Sequence, residues 1–182
     1  MKTFISSDLH LGHKNIIKFC KRPFNNVQEM NKTIVTNWNS VIGENDKVFY
    51  LGDLCFSFLG LSNDIDYWLN RLNGDIKFIK GNHDRINHKY SYSNVHGTYK
   101  DISFFLTHNP KDVPNNWNDW IIHGHHHNNH MNNYPFFNRN RKRINVSVEL
   151  TNYKPVDIKT IYAMIKNEKI NRKLYLKDID KR

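Results

Sequence analysis

The chain has 182 residues, of which 38% are hydrophobic and 13% aromatic, enough apolar material for one domain with a buried core. Its formal net charge is +10, with 27 Lys and Arg against 17 Asp and Glu, which favours an anionic partner such as a phosphate ester or a nucleic acid. A basic face that contacts only solvent would give the same balance, so the charge does not identify the partner. We find no internal repeat and no linker, and we predict a single domain over residues 1–182.

Cysteine usage and apolar runs narrow the class of protein further. Two cysteines, Cys20 and Cys55, are too few for a disulfide framework. The first residues lack the apolar core of a signal peptide, and no apolar run approaches the length that spans a membrane. We therefore expect a cytoplasmic protein without a membrane partner, and the sequence leaves its oligomeric state open.

Apolar runs and helical spacing alternate along the chain. They predict strands at residues 2–6, 47–51, 76–79, 102–107, 120–122 and 143–150. They predict helices at residues 14–20, 27–42, 64–73 and 156–167, the second with Asn26 as its N-cap. Residues 86–97 are polar and poorly patterned, and residues 128–140 are predicted to form an Asn-rich loop. This order indicates an α/β domain in which helices cover a largely parallel sheet.

Polar side chains that bind metals follow directly after most of the predicted strands. The segment Gly81-Asn82-His83-Asp84 is the clearest example, because it stands behind a short apolar run and a glycine turn. Asp8 and His10 are two residues apart, so extended backbone would direct both side chains to one face. In open α/β sheets, ligands bind beyond the carboxyl ends of the strands. The candidate residues at five strand ends are Asp8, His10, Asp53, Asn82, His83, Asp84, His108, His125 and His127.

The chemistry of these side chains restricts the metal. Carboxylate, amide and imidazole donors without thiolates suit Mn, Fe, Zn, Ni or Co rather than an iron–sulfur cluster or a structural zinc finger. More than four ligands are too many for one tetrahedral ion. Two neighbouring ions that share one carboxylate would use them all, so the sequence predicts a dinuclear site.

Five blocks of sequence resemble, in order, the motifs of the calcineurin-like metallophosphoesterases. They are Asp8-x-His10, Gly52-Asp53, Gly81-Asn82-His83-Asp84, His108 and Gly124-His125-x-His127. The closer resemblance is to small prokaryotic and phage members, through Arg22-Pro-Phe24 and Asn145-Val-Ser-Val-Glu149. The resemblance implies an α/β four-layer sandwich, in which two packed mixed β-sheets are flanked by helices on both outer faces. It also implies a hydrolase that acts on phosphate esters.

The resemblance assigns the ligands to two divalent metal ions, of which Mn is the first choice. The first ion would be held by Asp8, His10, Asp53 and His127, and the second by Asp53, Asn82, His108 and His125. Asp53 would therefore bridge the two ions. A hydroxide held between them would attack phosphorus in line.

The resemblance also assigns roles outside the ligand set. His83 would donate a proton to the leaving oxygen, and Asp84 would orient the His83 ring. The basic groups nearest in sequence to the motif loops are candidates for contacts with the substrate phosphate, namely His13, Arg22 and Arg85, and also Lys14, which could equally be surface charge.

The sequence bears less directly on the class of ester. Serine/threonine phosphatases and dinucleoside tetraphosphatases of this superfamily carry an Asp-Arg-Gly extension after the second block, whereas Leu54-Cys55-Phe56 follows here. The resemblance and the positive charge favour a phosphodiester of a nucleotide or nucleic-acid-like substrate, with a phosphomonoester as the alternative. A non-catalytic scaffold that binds metal or nucleic acid is the third possibility, although such proteins usually lose ligands and this chain keeps them. Phe56, Phe58 and Leu59 would either line a pocket for a base or belong to the core.

Overall fold

The computed structural model describes residues 1–56, 63–84 and 91–178, in which two mixed β-sheets pack against each other. The first sheet contains β1 (Thr3–Ser6), β2 (Lys47–Tyr50), β3 (Asp75–Ile79), β4 (Ser91–Tyr92) and β10 (Val156–Asp157). Its spatial order is β10-β1-β2-β3-β4. β10 is antiparallel to β1, and the other strands run parallel to one another.

The second sheet contains β5 (Asn94–Tyr99), β6 (Ile102–Thr107), β7 (Trp120–His123), β8 (Phe137–Asn138), β9 (Arg143–Asn145) and β11 (Arg172–Lys173). Its spatial order is β11-β8-β9-β7-β6-β5. β6, β7 and β9 are parallel neighbours, and the β5–β6, β8–β9 and β8–β11 pairs are antiparallel. The loops after β1, β2, β3, β6 and β7 carry the candidate ligands of the sequence analysis.

Alternation of side chains along the strands divides the core into two clusters. Ile5 and Ile79 of the first sheet pack with Phe104 and Ile122 of the second, so these faces form the interior between the sheets. Phe4 points to the opposite face of the first sheet and packs in a second cluster with the helices. The period of two along each strand therefore fixes which residues lie between the sheets.

The helices are α1 (Ile16–Phe19), α2 (Val27–Asn39), α3 (Asn63–Leu69) and α4 (Ile158–Lys166). The predicted N-cap of α2 is confirmed, because Oδ1 of Asn26 accepts the backbone N–H of Glu29 at 2.8 Å. Met30, Ile34 and Trp38 form the buried stripe of α2, which packs on the outer face of the first sheet. None of the described helices has the length and apolarity needed to cross a bilayer.

The two packed mixed sheets with helices that the sequence predicts are confirmed. α4 buries four side chains in the core between the sheets, Ile158, Ile161, Met164 and Ile165. On the outer face of the second sheet, the ring of Trp117 packs against Phe105 with 5.4 Å between centroids. In the described part of the chain, a loop with a short 3-10 helix (Pro110–Asp112) therefore contributes to the cover of this face.

Several described segments differ from the sequence prediction, among them β10 and β11, and local reasons explain three of these differences. β4 and β5 lie within or across the poorly patterned residues 86–97, and as edge strands they carry little hydrophobic alternation. Within residues 128–140, β8 is too short to produce a pattern. The predicted strand 143–150 is wrong beyond Asn145, because the Asn145 side chain accepts the backbone N–H of Ser147 at 3.1 Å. The chain then turns into a 3-10 helix, Val148–Leu150.

Candidate metal centre

The first two parallel strands bring their following loops side by side. The backbone N–H of Asp8 donates to the carbonyl of Gly52 at 3.0 Å, and that of His10 donates to the carbonyl of Asp53 at 3.0 Å. Gly52 has a φ of +89°, and a Cβ at this position would collide with the backbone of Gly81 in the loop after β3. This glycine therefore allows three ligand-bearing loops to approach one another.

Asp8, His10 and His127 form the first group of potential ligands. Nε2 of His10 lies 3.5 Å from Oδ2 of Asp53, and Nε2 of His127 lies 3.7 Å from Oδ1 of Asp8. The ligand atoms of the group all lie within 4.8 Å of one another, close enough to share one ion. The structure thus brings together the four side chains predicted for the first ion.

Asn82, His108 and His125 form the second group. Oδ1 of Asn82 lies 2.9 Å from Nε2 of His108 and 2.8 Å from Nδ1 of His125. Nε2 of His108 lies 3.4 Å from Oδ2 of Asp53, the same carboxylate oxygen that faces His10. Oδ2 of Asp53 therefore lies between His10 of the first group and His108 of the second.

Hydrogen bonds away from the centre fix which ligand atoms face it. His108 donates from Nδ1 to the carbonyl of Leu51 at 2.7 Å, which leaves the Nε2 lone pair directed at the centre. Oδ1 of Asp53 accepts the backbone N–H of His83 at 2.9 Å. Oδ2 of Asp53 is therefore the oxygen available to a metal.

Two polar residues that the sequence analysis did not assign to the site support the first group. Ser147 donates its hydroxyl to Oδ2 of Asp8 at 2.9 Å. Glu149 is buried, and its carboxylate accepts a hydrogen bond from Nδ1 of His127 at 3.0 Å. A carboxylate behind an imidazole fixes the ring and makes it a better ligand. The sequence offered one indication of Glu149, because this carboxylate stands near the end of the alternating apolar segment 144–150.

Arg22 lies beneath the centre instead of facing the substrate. Its side chain is 0% exposed, and it donates to Oε1 of Glu149 from two nitrogens, at 2.7 and 2.9 Å. It also donates to the backbone carbonyls of Asp8 and Leu9, each at 2.8 Å. The prediction that Arg22 contacts the substrate phosphate is therefore wrong, because its guanidinium is taken up by the buried carboxylate and by the loop after β1.

Asp84 connects two of the ligand loops. Its carboxylate accepts backbone N–H groups from Gly81 at 2.7 Å, Asp53 at 2.8 Å and Leu54 at 3.1 Å. Three backbone donors on one buried carboxylate hold the loops after β2 and β3 in register. These bonds give Asp84 a role in shaping the loop that presents Asn82 and His83, and the orientation of the His83 ring by Asp84 stays a prediction.

Two other predicted site residues, His83 and His13, lie near His10. His83 is exposed, and its ring centroid lies 5.6 Å from that of His10. His13 is half-buried, with its ring centroid 5.7 Å from that of His10. Three residues from the sequence analysis lie outside the described residues, namely Phe58, Leu59 and Arg85.

Five of the candidate ligand residues adopt the left-handed backbone conformation, which is uncommon outside glycine. Their φ angles are 62° for Asp8, 50° for His10, 58° for Asp53, 71° for His125 and 46° for His127. Such conformations persist where surrounding contacts hold them, and they cluster at active and ligand-binding sites. Both the backbone and the side chains of these residues are therefore shaped around the centre.

Gly124 lies where the loop after β7 passes closest to Asp8. A Cβ at Gly124 would collide with Oγ of Ser7 and Oδ2 of Asp8. We expect Gly124→Ala to displace the Asp8 carboxylate, which should weaken Mn²⁺ binding by about 10–100-fold and lower the unfolding free energy by about 1–3 kcal/mol. Titration calorimetry and urea unfolding measure the two effects. The control is Gly97→Ala, where a Cβ meets nothing within 4 Å, and an equal loss in both variants would contradict the steric explanation.

Burial and neighbouring charges favour a cation in this centre. Burial raises the pKa of Asp53 to about 6, against the opposing effect of His108. Burial also lowers the pKa of His10 well below its usual value, and His127 adds to this shift. His10 is therefore neutral near pH 7, and its buried Nε2 has no hydrogen-bond partner in the described part of the chain. A divalent cation would satisfy this nitrogen and offset the crowded carboxylates, so the donor set fits such ions.

The two-sheet fold and the order of the candidate ligand loops along the chain are those of a known family of proteins. The family profile described as calcineurin-like phosphoesterase matches residues 1–174. The chain belongs to this family, and the resemblance found in the sequence is confirmed.

The similar proteins include one from Methanocaldococcus jannaschii and one from a phage. The uncharacterized protein MJ1445 of Methanocaldococcus jannaschii is 48% identical over 172 residues, which cover 94% of this chain and 95% of that protein. The Gene 66 protein of Mycobacterium phage L5 is 33% identical over 82 residues, which cover 45% of this chain and 39% of that protein. The crystal structure of AQ665, a protein of unknown function from Aquifex aeolicus, has a TM-score of 0.66 at 24% identity and covers 90% of this chain and 99% of that one. This last similarity is one of fold.

Proposed function

We propose that this protein is a dinuclear metal-dependent phosphoesterase. The observation that carries the proposal is the position of Oδ2 of Asp53, 3.5 Å from Nε2 of His10 and 3.4 Å from Nε2 of His108. One ion would be held by Asp8, His10, His127 and Asp53, and the other by Asn82, His108, His125 and Asp53. The carboxylate, amide and imidazole donors suit Mn, Fe, Zn, Ni or Co, and Mn is our first choice among them because of the resemblance to the calcineurin-like family. When bound, two such ions would activate a water molecule as the nucleophile and offset the negative charge of a phosphate group.

The groups beside the ligands support a role in catalysis. His83 is exposed next to His10, so its ring can reach a substrate held at the centre. Its backbone N–H is fixed to Oδ1 of Asp53, which ties the position of His83 to that of the bridging carboxylate. We assign His83 as the group that protonates the leaving oxygen. Asp84 would keep the His83 loop in place through its backbone hydrogen bonds.

We further propose that the substrate is a phosphodiester of a nucleotide or nucleic-acid-like molecule. The net charge of +10 attracts polyanions, and membership of the phosphoesterase family supports ester hydrolysis. Every ligand position is filled by a residue able to bind a metal, which disfavours a non-catalytic scaffold. We also infer a cytoplasmic location, because two cysteines are fewer than the disulfide framework of a small secreted domain uses.

Turnover assays on a diester and a monoester test this proposal. We expect Mn²⁺-dependent hydrolysis of bis-p-nitrophenyl phosphate, faster than that of p-nitrophenyl phosphate, and loss of both on chelation. His83→Ala should lower kcat by about 10²–10⁴-fold while Mn²⁺ still binds, because His83 is not a ligand. His96→Ala is the matched control, since His96 lies against Phe105 on the outer face of the second sheet. Two bound metal ions without hydrolysis of either ester would contradict the enzymatic function, and faster monoester hydrolysis would contradict the substrate class.

A further inference from the structure

Three aromatic side chains beside the metal centre form a surface that the proposed chemistry does not use. We call His13, Phe19 and Phe56 the aromatic rim. The rings of His13 and Phe56 are stacked, with 4.4 Å between centroids and 21° between planes. The rings of Phe19 and His13 are nearly perpendicular, with 6.2 Å between centroids and 85° between planes. Because the His13 ring is also 5.7 Å from that of the candidate ligand His10, the rim lies directly beside the centre.

The rim is attached to the same loops that carry the ligands. The backbone N–H of Phe56 donates to the carbonyl of Leu11 at 2.9 Å, which continues the pairing of the loops after β1 and β2. Gly12 has a φ of +80°, and a Cβ there would lie only 3.3 Å from the carbonyl oxygen of Phe56. The backbone N–H of Gly12 in turn donates to Oδ1 of Asn31 at 3.0 Å. These contacts hold Phe56 at a fixed position relative to the centre.

Apolar surface is left exposed at the rim. Phe19 is 63% exposed and Phe56 is 38% exposed, although the fold buries most of its other phenylalanine rings. Single exposed rings are ordinary on protein surfaces, but here two of them share a half-buried histidine next to a candidate catalytic centre. Lys18 and Lys21, both exposed, flank Phe19 in sequence. Exposed rings beside basic groups are the combination that binds the bases and phosphates of nucleic acids.

We propose that the aromatic rim binds the planar base of the substrate by stacking while its phosphate lies at the metal centre. The inference rests on the proposed function for the position of the phosphate. If the base stacks on the rim, Phe56 and His13 determine specificity, because they would select esters with a flat aromatic group next to the phosphate. The inference also predicts that an ester without such a group binds less tightly, since it would leave the rim in contact with water.

Equilibrium binding separates this role from catalysis. We compare AMP with ribose 5-phosphate by titration calorimetry on the full chain loaded with Mn²⁺, because the two molecules share a sugar phosphate and differ in the base. The wild type should bind AMP more tightly. Phe56→Leu keeps an apolar side chain but removes the ring, and it should weaken AMP binding by about 5–150-fold while ribose 5-phosphate binding stays unchanged. Phe56→Tyr keeps the ring and should retain the preference for AMP.

The control variant removes an exposed aromatic ring elsewhere. Tyr67 of α3 is 49% exposed, and its ring contacts Trp68 and Arg71. Tyr67→Leu should change neither affinity. Equal affinity of the wild type for both ligands, binding of neither ligand, or an equal loss of both in Phe56→Leu would overturn the proposal. If no ester is hydrolysed but the Phe56-dependent preference for AMP is observed, the proposed function fails and the role of the rim stands.

Discussion

Replacing Asp53 with asparagine is expected to lower diester turnover by on the order of 10³-fold and to prevent the binding of two metal ions. Oδ1 of Asp53 accepts the backbone N–H of His83, so the amide oxygen of asparagine must occupy that position. The amide NH₂ group would then face His10 and His108, and a donor group cannot act as a metal ligand. Rotating the amide would place the NH₂ group against the His83 N–H, which is equally unfavourable.

Metal content and turnover measured on the same preparation test this prediction. Elemental analysis after dialysis against Mn²⁺ should give two ions per wild-type chain and at most one per Asp53→Asn chain. Asp75→Asn is the matched control, because Asp75 is an exposed carboxylate at the start of β3 that pairs with Lys77. A variant at position 53 that keeps both ions and full turnover would show that the carboxylate is not shared.

Replacing Arg22 with leucine is expected to lower the unfolding free energy of the metal-free protein by about 3–5 kcal/mol. The reason is that Glu149 would remain buried without its guanidinium partner, with only the imidazole of His127 beside it. Burial favours the neutral form of Glu149, but Arg22, together with His127, lowers its pKa to about 2. If Arg22 instead bound the substrate phosphate, its loss would raise KM and leave stability unchanged. Urea unfolding and steady-state kinetics distinguish the two outcomes.

The pH dependence of the Arg22 variant provides a second readout. Because the pKa of Glu149 in the folded protein is depressed from 4.5, its ionised form contributes stability that is complete above pH 4.5 and is lost as the pH falls toward 2. The difference in unfolding free energy between the wild type and Arg22→Leu should therefore become smaller as the pH falls from 4.5 toward 2. Arg71→Leu is the control, since the guanidinium of Arg71 lies on the exposed ring of Tyr67, and we expect it to change stability by no more than about 0.5 kcal/mol. A similar loss in both arginine variants would contradict the buried ion pair.

The convergence of the candidate ligands was predictable because each signal is local. Asp8, Asp53 and Asn82 each follow a short apolar strand, and parallel strands place their carboxyl ends together. A glycine stands before Asp53 and before Asn82, where the loops pass too close for a side chain. These features depend on neighbours within a few residues, so they can be read from one sequence.

The residues that support the ligands could not be predicted in this way. Arg22 and Glu149 are 127 positions apart, and nothing near either residue indicates that they meet as a buried pair. Ser147 reaches Asp8 only because the chain turns at Asn145 and ends the predicted strand. The edge strand β5 escaped prediction because its polar residues face solvent and lack the alternation that marks a buried strand.

The central claim is that two metal ions share Oδ2 of Asp53, and anomalous diffraction from crystals grown with Mn²⁺ tests it most directly. Our account predicts two manganese peaks about 3.5–4 Å apart. One peak should be coordinated by Asp8, His10 and His127, the other by Asn82, His108 and His125, and both by Asp53. A single peak away from Asp53, or two peaks that do not share its carboxylate, would contradict the account.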